Sequence, residues 1–170
     1  MNETIMTSWK PVFENILNQV KELGITEIDL CDHICYRVQT LQEYQEMKSF
    51  FTQHGKLRAE TIVSGRPISI IELNNPFKYE SYEISCVELP APKEGKKTHT
   101  GWEHAEFVVH NPADLVEKYP QINFNTKSLH RKINAELSLK LNEGLSVKFH
   151  PLHILEVMDK EEKLGITKVD

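Results

Sequence analysis

The chain has 170 residues, 39% hydrophobic and 26% charged, with a formal net charge of −5. That length suits one compact domain or two half-domains sharing a core, with the make-up of an ordinary folded protein. The acidic balance argues against a duplex nucleic-acid binder, no apolar run approaches the about 18–20 residues that span a bilayer, and the start Met1-Asn2-Glu3-Thr4 lacks the plan of a signal peptide.

Ser8 is placed to cap a first helix running to about Leu23, with Pro11 tolerated in its first turn. Phe13, Ile16, Leu17, Val20 and Leu23 fall on one face, and Gly24 supplies the stop. Ile28 to Val38 reads as a strand with His33, Cys35 and Arg37 on one face and Ile34, Tyr36 and Val38 on the other. Thr40-Leu41-Gln42-Glu43 is a capping box that opens a helix ending near Gly55. Three strands follow: Leu57 to Ser64, Ile68 to Leu73 broken by Asn74-Asn75-Pro76, and Ser81 to Leu89. Cys31 and Cys35 would lie about 13 Å apart along one strand, too far to cross-link. With Cys86 they make an odd set, which predicts reduced, buried thiols in a cytoplasmic protein.

Pro90 to Gly101 is rich in Pro, Lys and Gly and reads as a linker. Beyond it the pattern repeats: a strand from His104 to Val109, an Asn111-Pro112 cap, a short helix to about Tyr119, strands over Phe124 to Lys132 and Ala135 to Leu141, an Asn142-Glu143-Gly144 turn, and a last strand from Leu145 to Val157. The expected layout is a helical extension over 1–27, one βαβββ module over 28–89, a linker over 90–101, a second βαβββ module over 102–158, and a charged tail over 159–170.

The repeat carries the chemistry. Asp32-His33-Ile34-Cys35-Tyr36-Arg37-Val38 is echoed by Glu103-His104-Ala105-Glu106-Phe107-Val108-Val109, and each is answered roughly fifty residues on by a Glu between apolar residues, in Val87-Glu88-Leu89 and Leu155-Glu156-Val157. His33, Glu88, His104 and Glu156 together match a divalent first-row cation, Zn, Ni, Co, Mn or Fe. Either carboxylate, Glu88 or Glu156, can leave such an ion to act as a general base. Glu72 is the alternative donor if the register of Glu88 differs. Arg37 is placed to grip an anionic substrate group, and Glu106 to act as a base or a further ligand. Trp102 and Phe107 read as core.

These segments resemble the vicinal oxygen chelate superfamily of glyoxalase I, extradiol dioxygenases, methylmalonyl-CoA epimerase and bleomycin-resistance proteins. More closely, the whole chain resembles the YecM family. The resemblance covers about Ile28 to Met158 and leaves the first helix as an addition. It implies an α+β fold in which two βαβββ modules curl a mixed sheet into a glyoxalase-like cup, with His33, Glu88, His104 and Glu156 at the ligand positions. The expected activity is that of a metal-dependent isomerase, lyase or oxygenase on a small oxygenated molecule. The other expectation is a metal-free small-molecule binder. The expected partner is a small molecule, not nucleic acid or a membrane, with the chain a monomer or homodimer.

Overall fold

In the computed structural model, residues 2–163 are described. Helix α1 (Asn2–Glu22) precedes strand β1 (Leu30–Arg37), helix α2 (Leu41–Gln53) and strands β2 (Gly55–Val63), β3 (Arg66–Tyr79) and β4 (Tyr82–Pro90). Strand β5 (Gly101–Val108), helix α3 (Pro112–Lys118) and strands β6 (Asn125–Ser128), β7 (Glu136–Lys140) and β8 (Ser146–His150) repeat that order, and helix α4 (Ile154–Lys163) follows. The eight strands form one curled mixed sheet in the order β2-β3-β4-β1-β5-β8-β7-β6. Each module pairs its first strand with its fourth in parallel, β1 with β4 and β5 with β8. The modules meet where β1 and β5 run antiparallel. This is the glyoxalase-like α+β architecture with an added N-terminal helix.

Local chemistry explains the element ends. Thr40 accepts from the Glu43 backbone N–H while the Glu43 carboxylate accepts from the Thr40 N–H, the reciprocal cap expected. Asn111 caps α3, with Pro112 in the first turn where no intrahelical N–H is needed. Gly24, at φ +80°, turns the chain out of α1 through a left-handed conformation that a side chain would strain.

Four boundaries differ from the expectation, among them β6, which covers only Asn125–Ser128 of the strand expected over Phe124 to Lys132. Helix α1 begins at Asn2, so Ser8 is not its cap and Pro11 sits inside the helix. Ser8 Oγ instead accepts from the Trp102 indole N–H at 3.2 Å. Strand β3 continues through Asn74-Asn75-Pro76 by a register shift between Glu72 and Phe77, because a bulge absorbs residues that a regular ladder would reject. The expected last strand stops at His150, and Ile154 onward is helix. Of the charged tail, residues 164–170 lie outside the described residues.

One sheet face carries the main core. Trp9 of α1 stacks on Phe77, and Phe13 meets Tyr82 edge-on and stacks on Phe107. Tyr36 and Trp102 join Phe51 of α2 on the same side. The added helix is therefore built into the core across the seam between modules. Cys31, Cys35 and Cys86 are free and buried. Among the described residues no helix is long and apolar enough to cross a membrane. Phe13 is 1% exposed, so Phe13→Ala is expected to cost about 3–5 kcal/mol in urea unfolding. A loss under about 1 kcal/mol would show that α1 is an appendage.

Candidate functional site

The opposite sheet face holds a buried charged cluster. The β1–β5 register sets His33 opposite Glu106 and Cys35 opposite His104. Across the parallel ladders, Glu88 lies opposite Cys35 and Lys148 opposite Glu106. Side chains from the first and last strands of both modules thus converge.

Glu106 is the hub. Its Oε1 lies 3.2 Å from His33 Nε2, 3.1 Å from His104 Nε2 and 2.6 Å from Lys148 Nζ. His104 Nε2 is also 3.5 Å from Glu88 Oε1. Each imidazole is backed by the acid that precedes it: His33 Nδ1 lies 2.9 Å from Asp32 Oδ1, and His104 Nδ1 3.3 Å from Glu103 Oε1. An ionised carboxylate only accepts, so each Nδ1 carries a proton, while each Nε2 faces the Glu106 carboxylate. Arg37 Nη2 donates to Glu103 Oε1 at 2.9 Å, which fixes that carboxylate in turn.

The charges reinforce one another. Burial opposes ionisation of Glu106, but Lys148 and His33 outweigh it and hold its carboxyl well below the usual carboxylate range. Glu88 is held low against burial by Lys148 and His104. Burial also works against the Lys148 ammonium, yet Glu106, Glu88 and Glu136 push its pKa up. Hydrogen bonds from His104 and Arg37 overcome burial to hold Glu103 at about 2. Burial disfavours charge on both imidazoles. For His33, Asp32 and Glu106 reverse this, and for His104, Cys35 and Glu103 do, so both pKa values are raised.

The donor set fits a divalent ion. Atoms sharing one ion at about 2.0–2.2 Å stand about 3.0–3.5 Å apart, the spacing that the imidazole–carboxylate pairs His33–Glu106, His104–Glu106 and His104–Glu88 show. The donors of His33, Glu88 and Glu106 lie within 4.8 Å of one another. His33 Nε2 is buried and makes no well-directed hydrogen bond, so an ion that displaced its proton would break none there. Two nitrogens and two carboxylates suit the borderline first-row cations.

His33, Glu88, His104 and Glu106 are brought together, and Arg37 lies on the same cavity wall. Glu156 is not: it is exposed in the first turn of α4 and belongs to none of the donor clusters. The chain leaves the sheet at Pro151, two residues past Phe149, so Leu155-Glu156-Val157 never enters a strand. Glu72 pairs with Arg58 and is likewise outside the donor clusters. Pairing shows what occupies the matching place. If His33 corresponds to His104, Glu88 corresponds to Lys148. A search for a second acid passes over this lysine. Buried Asp32 was also missed, because the register shift between Cys31 and His33 turns it inward, where it approaches His150 and accepts from the Ile154 N–H.

A model of the YecM protein family matches residues 1–161. The chain belongs to the YecM family. Protein YecM of Escherichia coli (strain K12) is 29% identical over 170 residues, covering 89% of this chain and 90% of that one. A solved structure described as Protein EC4020 matches with a TM-score of 0.75 at 28% identity, over 94% of this chain and 92% of the other. A methylmalonyl-CoA epimerase solved with methylmalonyl-CoA and NH4+ matches at a TM-score of 0.53 and 14% identity, over 75% of this chain and 97% of its own. That likeness shows the vicinal oxygen chelate fold.

Lys148 is ion-paired with Glu106 at 2.6 Å, and its side chain is only 21% exposed. Lys148→Met should therefore cost about 3 kcal/mol in denaturant unfolding, toward the low end for breaking a buried pair. An unchanged midpoint would mean that the cluster is neutral in the folded protein.

Proposed function

We propose that this YecM-family chain is a metal-dependent enzyme that moves a proton on a small oxygenated substrate, a reaction of the isomerase or lyase kind. The observation that carries this reading is the convergence of His33, Glu88, His104 and Glu106 from both modules at donor spacings of 3.1–3.5 Å. A bound divalent ion would polarise a substrate oxygen.

The protein supplies the rest. Asp32 and Glu103 fix the two imidazole rings. Glu106, with acceptor contacts to His33, His104 and Lys148, is committed to holding the cluster. Glu88 is freer, since its only ion-pair contact among the described residues is His104 at 3.5 Å, and 14% of its side chain is exposed. It is the proton acceptor in this reading. Lys148 occupies the matching strand position in the other module and keeps its proton, so it is placed to hold the negative charge that develops on a substrate oxygen. A cavity of about 490 Å³ opens on both. An oxygenase is the less favoured activity, because a second carboxylate crowds the two-His, one-carboxylate arrangement. The metal-free binding alternative draws on Lys148, which places a fixed ammonium where the first module has a carboxylate.

Metal analysis and titration of the purified protein test the metal reading. Wild type is expected to bind one divalent ion per chain. His33→Ala with His104→Ala should abolish tight binding, and Glu156→Ala should leave it intact. Absence of binding by wild type would favour the metal-free alternative. Because the groups around them raise both imidazole pKa values, the ion must displace protons from them. Calorimetry in buffers of different ionisation enthalpy should show proton release at pH 7 and affinity that rises with pH. Proton-neutral binding would place the ion elsewhere.

A further inference from the structure

Arg37 and Arg66 line the same cavity as Glu88, Glu106 and Lys148. Arg37 comes from the end of β1 and Arg66 from the start of β3. A guanidinium has five N–H donors. Among the described residues, Arg37 spends one on Glu103 Oε1, and Arg66 spends one on the Ala91 carbonyl at 2.7 Å. The Nε atoms of both are buried without a partner. Glu103 is the only carboxylate within ion-pair distance of either guanidinium among the described residues, and it touches Arg37 alone. Arg66 is depressed by burial and by the nearby charge of Arg37. Two neighbouring forks with unspent donors form an unfilled anion site.

We propose that Arg37 and Arg66 form an anion-binding subsite beside the charged cluster, and that the ligand of this protein is a small organic acid whose carboxylate they hold. The role of this acid as a substrate rests on the proton-transfer reading above, while anion binding itself does not need the metal. The carboxylate would lie across the guanidiniums, and an oxygen elsewhere on the acid would face Glu88 and Lys148. Ile68, Ile70, Val157 and Met158 make part of the wall apolar, suited to a short aliphatic portion. The apolar wall favours an organic acid over inorganic phosphate, which has no carbon portion to lay against it.

The test uses malonate as the probe, with malonamide as its uncharged analogue, on full-length protein stripped of metal by chelator. Titration followed by two-dimensional NMR of the arginine side-chain Nε–H groups is expected to show saturable malonate binding that shifts two such resonances, with no response to malonamide. Arg66→Gln, which breaks no ion pair, should weaken malonate binding at least tenfold. Because the protein is stripped of metal, a failure of the metal reading does not touch this result. Equal binding by wild type and Arg66→Gln, or no saturable binding by folded wild type, would overturn the proposal. Tighter binding of inorganic phosphate than of malonate would overturn the carboxylate assignment.

Discussion

The antiparallel pairing of β1 with β5 is the constraint on which the rest of this structure depends. It joins two modules that would otherwise each end in an open strand, and its register decides which side chains meet. With His33 opposite Glu106 and Cys35 opposite His104, alternate residues of both strands face one cavity. A slip of one residue would turn the imidazoles into the aromatic core and the aromatic residues into the cup. The aromatic packing of α1 on Tyr82 and Phe107, from strands of different modules, opposes such a slip.

The modules match in backbone and differ in charge. Where the first places Cys35 and Glu88, the second places Glu106 and Lys148. A symmetric site with two imidazoles and two carboxylates at equivalent positions is thereby replaced by one in which both carboxylates face a lysine. The exchange leaves a carboxylate, Glu88, and a fixed ammonium, Lys148, on opposite flanks of Glu106. Burying so many charges is costly unless each is paired. Asp32, Glu103 and Arg37 complete the pairing around the two imidazoles.

The fold was legible because it rests on local rules. The Thr40 capping box, the Asn111-Pro112 cap and the alternation of β1 all read as the structure forms them. His33 and His104 were legible because an acid, a His and a spaced aromatic recur on two strands. Glu106 was recognised as lying on the cup face, though not as its hub. Glu156 misled because a Glu between apolar residues reads alike in a strand and in an amphipathic helix, and the bend after His150 decides between them. Lys148 and Asp32 could not be found by the search for paired acids. One has the opposite charge at the matching position, and the other turns inward at a register shift that no local residue announces.

The central claim is that both modules contribute donors to one ion. Anomalous diffraction from crystals grown with cobalt addresses it directly. The account predicts a single strong peak bounded by Nε2 of His33 and of His104 and by the carboxylates of Glu88 and Glu106. Ordered cobalt at Glu156, or a cluster that excludes the ion at saturating concentration, would contradict it.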